Sequence, residues 1–212
     1  MDDNGFDRAL IAGAFAVAAR DGWDAVSVAV AAREAGLALE QARARFPGRD
    51  AILMRFGRLA DQIALADAPA EGSPRERLFE LLMRRFDALQ DHRDGVRALL
   101  RALPSRPPLA LLLAAATNFS MVWMLEAAGI SSHGLGGLAR AKGLMAVWLY
   151  ALRAWDRDDS ADLSGTMAAL DRALTRAETI GTWLGGRDGA TGPKPFPDVT
   201  GDAAPPEAAA PA

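Results

Sequence analysis

Apolar residues recur at three-and-four spacing along most of the chain, and period-two alternation with β-branched residues is nearly absent. That pattern predicts an all-α protein. Leu10, Ala14, Val17 and Ala18, flanked by Phe6, Ile11 and Phe15, form the first stripe and predict a helix over 5–21, with Gly22 suited to stop it. Ser27 is placed to cap a second helix ending at Ala35, Gly36 makes a turn, and a third helix runs over 39–46 until Pro47 ends it. A fourth helix over 50–66 is broken by "DAPAEGS". "SPRE" at 73–76 is a capping box with proline at the first helical position, opening a helix with Leu78, Leu82, Phe86 and Leu89 on its stripe.

Helices follow over 95–103, 108–128, 135–155 and 162–184, the last with Leu163, Met167, Leu170, Leu174 and Ala177 in line. The last two are expected to pair with a second copy as a two-fold, four-helix interface, Leu174 being a candidate for the partner face. From Gly185 onward the chain is rich in Gly, Pro and Ala without apolar periodicity, which predicts a disordered tail. The expected division is a head over 1–50, a helical body over 51–184 and a tail over 185–212.

With 212 residues, half of them hydrophobic, the chain can bury a sizeable core. It has no cysteine, which excludes disulfides, thiol nucleophiles and Cys-based zinc sites, and "MDDNGFDRAL" lacks the basic and apolar parts of a signal peptide. A cytoplasmic location is expected. The stretch "LALLLAAATNFSMVWML" over 109–125 is uncharged, yet it is short for a membrane span and interrupted by Thr117, Asn118 and Ser120. It predicts a buried helix. The formal charge of −3 argues against coating nucleic acid over the whole surface. Locally the balance reverses: between residues 33 and 58, Arg33, Arg43, Arg45, Arg49, Arg55 and Arg58 face Glu34, Glu40 and Asp50, a surplus of three positive charges.

A helix, a glycine turn and a second helix under a supporting first helix is the helix-turn-helix layout. "ALIAGAFAVAARDGWDAVSVAVAAREAGLALEQARARFPGRDAIL" resembles the N-terminal domain of TetR-type regulators in its "DGWDAVSV" lead-in, its "AREAGL" turn and its closing "RFPGRDAIL". The resemblance implies a DNA-reading head joined by a long helix to a ligand-binding, dimerising body, with Ser27, Gln41, Arg43, Arg45 and Arg49 as DNA contacts. Ala38 stands where the family usually has a small hydroxyl residue, and Glu40 and Arg43 replace its usual glycine and aromatic. Further along, "MVWMLEAAGI" and "RAKGLMAVWLYALRAWDRDDSADLSGTMAALDRAL" resemble the lipid-binding accessory proteins of ubiquinone biosynthesis, which share the TetR-like fold. Those proteins dock on membranes through a further amphipathic helix, whose place is taken here by the Pro/Ala tail, so stable membrane anchoring is not expected.

Leu111, Asn118, Met121 and Leu125 on one helix, with Met145, Trp148 and Leu152 on the next, suit an apolar ligand with one polar handle. Catalytic patterns are weak. "DDSAD" at 158–162 matches a magnesium-diphosphate motif, but Ser160 or Asp162 is equally placed to cap a helix. His92 and His133 are isolated and expected at the surface, and there is no phosphate loop or nucleophile elbow. The expectation is a non-enzymatic protein without cofactor or metal: a homodimeric regulator binding operator DNA and a hydrophobic small molecule or lipid. The alternative is a lipid or quinone-precursor carrier with a non-functional DNA head.

Overall fold

The computed structural model describes residues 2–179, and among these there are α-helices, short 3-10 turns and no strand. The tail expected over 185–212 and the last turns expected before residue 184 lie outside the described residues.

The head begins with α1 (Asp3–Asp21), which starts two residues earlier than its apolar stripe suggests because the Asp2 carboxylate accepts the Gly5 N–H at 2.8 Å. Every residue of that stripe is buried. A 3-10 turn at Trp23–Ala25 buries Trp23 against Phe15 and leads into α2 (Val28–Glu34), capped as expected by Ser27. Gly36, at φ +64°, takes the left-handed conformation, so that its N–H reaches Arg33 O and the Leu37 N–H reaches Ala32 O. This double closure ends α2 sharply and swings the chain into α3 (Leu39–Arg45). Pro47 and Gly48 then separate α3 from α4 (Arg49–Leu65).

The body continues with α5 (Pro74–Gln90), opened by the full capping box of Ser73 and Glu76, and α6 (Arg93–Ala102). It is completed by α7 (Pro107–Ala127), α8 (Gly134–Trp155) and α9 (Ser164–Thr179). Two glycines let α1 lie unusually close to its neighbours. A Cβ at Gly13 would sit 2.5 Å from Ala31 O in α2, and one at Gly95 would sit 2.4 Å from Phe15 O, so α6 presses directly on the backbone of α1.

Three expectations need correction. Leu170 and Leu174 are fully buried within one copy of the chain, so Leu174 is not on a partner face. Helix α7 is not a buried helix: Leu111, Phe119 and Trp123 are 73%, 71% and 61% exposed, although its length and composition suffice to cross a membrane. His92 is no surface residue. Its ring stacks on Phe15 at 5.2 Å and meets Phe56 edge-on at 5.7 Å, where α1, α4 and the α5–α6 junction converge, and burial lowers its pKa against the opposing charge of Asp91.

Candidate functional site

In the head, Ala42 and Phe46 turn α3 inward onto Ala31 and Ala32, all buried, which leaves Gln41 and Arg43 exposed on its outer face. No hydrogen bond or ion pair with a described residue engages Arg43, Arg49, Arg33 or Arg58. Ser27 is exposed while its hydroxyl accepts the Val30 N–H at 3.1 Å, and Ala38 makes no side-chain cap on α3, as its missing oxygen dictates.

Arg45 has a different occupation. Its Nε donates to Asp7 Oδ1 at 3.0 Å, Nη1 pairs with Asp3 at 2.6 Å, and the guanidinium lies over the Phe6 ring. The buried carboxylate of Asp7 also receives Arg55 Nε at 2.6 Å, so one acid ties α3 and α4 to α1. Arg45 and Arg55 thus fasten the head together, so Arg45, expected as a DNA contact, is already engaged by two carboxylates. The positive charge left unengaged in the head lies on Arg33, Arg43 and Arg49, because Glu34 is itself paired with Arg20.

The body contains a cavity of about 560 Å³ between α4, α5, α6, α7 and α8. That volume suits a small organic ligand, for which roughly 300–1,000 Å³ is usual. Of the expected lining residues, Met145, Trp148 and Leu152 stand on its wall. Leu111, Asn118, Met121 and Leu125 do not. Leu111 faces outward, Met121 and Leu125 are fully buried elsewhere, and Asn118 is half-buried with no partner for its Oδ1 among the described residues. The cavity instead takes Ala110, Leu113, Thr117 and Ser120, with the largely exposed Phe119 and Trp123 at its open edge, a broad face turned away from the expected row. Because α7 is apolar nearly all round, periodicity alone could not select the face.

The polar group of the cavity is one that sequence reasoning missed. Arg85 of α5 is 6% exposed and forms an ion pair with Asp61 of α4, whose other carboxylate oxygen accepts the Ser120 hydroxyl of α7 at 2.6 Å. The guanidinium lies 5.2 Å from the Trp148 ring, which itself stacks on Phe86 at 4.3 Å. Burial pushes the Arg85 pKa down to about 10, which still leaves it charged at neutral pH. A signal existed: Arg85 falls in register with Leu78, Leu81, Leu82 and Leu89, a charge inside a buried stripe, which proteins rarely tolerate without a partner.

Among the described residues no group of three or more histidines, cysteines or carboxylates is arranged to hold a metal. Asp158 of the "DDSAD" run is committed to capping. Against the opposing effect of its burial, hydrogen bonds from Ser160 and from the Thr166 hydroxyl and N–H hold its pKa at about 2. Ser160 and Asp162 both reach the Ser164 N–H, so both expected caps act together.

No protein-family model matches the sequence, and no curated protein matches it. The fold, however, is that of solved TetR-type regulators. A TetR transcriptional regulator from Nitrosomonas europaea ATCC 19718 is 23% identical, with 82% of this chain and 99% of that one covered and a TM-score of 0.68. One from Rhodococcus sp. RHA1 is 17% identical, covering 82% and 97%, with a TM-score of 0.55. A TetR-family transcriptional regulator from Streptomyces coelicolor is 20% identical, covering 85% and 84%, at 0.54. At these identities the likeness establishes an all-α, TetR-like fold.

Proposed function

We propose that the protein is a homodimeric, effector-responsive regulator that reads operator DNA through α3 and binds a largely apolar small molecule in the cavity of its body. The observation that carries this reading is the course of α4. It begins at Arg49, directly after the recognition helix, and about 18 Å further along the same helix places Asp61 at the cavity's ion pair. One rigid element therefore joins the two sites, and a ligand that favours one placement of α4 shifts DNA affinity by its differential binding to the two states. Gln41 is the candidate for a base edge, Arg43 and Arg49 for phosphates, and Ser27 for a further backbone contact at the start of α2. With Leu170 and Leu174 committed inward, the exposed apolar residues Leu135, Leu138 and Tyr150 of α8 are the face for a second copy.

Retention of DNA from the region upstream of the protein's own coding sequence in a low-salt gel shift is the expected result. Failure to retain any upstream fragment would overturn the regulator. A second reading, a lipid carrier whose head no longer binds DNA, draws support from the uncapped α3, from Glu40 in its first turn and from the engagement of Arg45 by Asp3 and Asp7. A carrier binds its ligand with no change in DNA retention.

A further inference from the structure

The cavity's chemistry is unbalanced in a way that specifies its ligand. Arg85 brings five N–H donors into a space walled mainly by hydrocarbon, including Leu89, Leu99, Leu113 and Leu152. Among the described residues its Nη1 contacts Asp61, its Nε has no hydrogen-bond partner, and the Ser120 hydroxyl is already donated to Asp61. Donors removed from water and left unmatched are costly. The site is therefore short of acceptors, not of donors. Charge points the same way: Asp61 offsets Arg85, while Arg58, on the cavity rim and without a hydrogen bond or ion pair to any described residue, leaves one positive charge in excess.

We propose that the cavity binds an amphiphile with a single carboxylate head and a hydrocarbon tail, the head accepting from Arg85 and drawn in by Arg58, the tail lying along α6, α7 and α8. This rests on the cavity being the effector site, but the binding needs no DNA to be measured.

The test titrates three probes of equal tail length into the full chain by calorimetry at neutral pH: decanoate, 1-decanol and decyltrimethylammonium. Decanoate should bind at least about tenfold more tightly than decanol, the difference a charge-assisted hydrogen bond supplies, and the cation weakest. Equal binding of the three, or tighter binding of decanol, overturns the proposal. Replacing Asp61→Asn and Arg85→Gln together leaves neither charge buried alone. If circular dichroism shows that this variant folds, it should keep decanol binding and lose the preference for decanoate; a surviving preference overturns the proposal. If it does not fold, Arg58→Gln decides, because that side chain is exposed and tied to no described residue. The preference should then narrow severalfold, and an unchanged one overturns the proposal. A chain that binds decanoate but never retains DNA keeps this inference and loses the regulator.

Discussion

Replacing Gly95 with alanine probes the contact through which the body holds the head. The new Cβ would lie 2.4 Å from Phe15 O, 2.7 Å from Phe15 Cβ and 2.9 Å from Phe15 C, two of the three being backbone atoms that no rotamer change can move. Restoring ordinary contact requires α6 and α1 to part by about 1 Å. Overpacking of this kind costs up to about 3 kcal/mol, whereas Gly→Ala inside a helix contributes about 1 kcal/mol in favour of folding. The clash wins, with a net loss of about 2 kcal/mol and a fall in Tm of about 4–8 °C for a chain of this size. Gly57→Ala in α4 is the control, since a Cβ there would meet nothing within 4 Å and its Tm should rise. Thermal melts of the two variants beside the wild type decide. A Gly95→Ala protein that melts higher, as the control does, would refute the close crossing and with it the direct seating of α6 on α1.

Asp7→Ala should cost about 3 kcal/mol in chemical denaturation, because it strands Arg45 and Arg55 beside a buried gap; an unchanged midpoint would show that the acid does not tie the head together. Burial lowers the pKa of His92, so the unfolded chain takes up its proton more readily. Stability is full above the ordinary pKa of 6.5 and declines as pH falls below it, and His92→Phe should flatten that slope in melts taken across the range. Asp158 acts lower: its contribution is present above pH 3.8, is lost as pH falls towards about 2, and should vanish from acid titrations of Asp158→Asn. Leu174→Asp should prevent folding, whereas Leu138→Asp should leave a folded chain of half the wild-type mass by light scattering; a folded monomer from Leu174→Asp would restore Leu174 to the interface.

Most of the fold was legible because helix boundaries here are set by local chemistry. Ser27, Gly36, Pro47 and the Ser73–Glu76 box stop and start their helices where the side chains dictate, and amphipathic stripes such as that of α1 face the core as their periods demand. What the sequence could not reveal depends on neighbours distant along the chain. Arg45 looks like a DNA contact until α1 brings Asp3 and Asp7 against it, across about forty residues. Helix α7 carries apolar residues on every side, so its cavity face could be found only from where α4, α5 and α8 lie. The stripe of α5 marks Arg85 as a buried charge but does not say that Asp61, one of several charges on α4, is its partner, and His92 stands in a stretch without periodicity, where only packing reveals its partial burial.

The central claim, that the head binds DNA through the unengaged arginines of α3 and the start of α4, is tested most directly by the salt dependence of that binding. Affinity for the upstream fragment, followed by fluorescence anisotropy, should fall linearly with salt on logarithmic axes. Arg43→Ala and Arg49→Ala should each flatten the slope by about 1, as expected when one phosphate contact and its released counterion are lost. Binding that is absent at low salt, or a slope that neither substitution changes, would contradict the account.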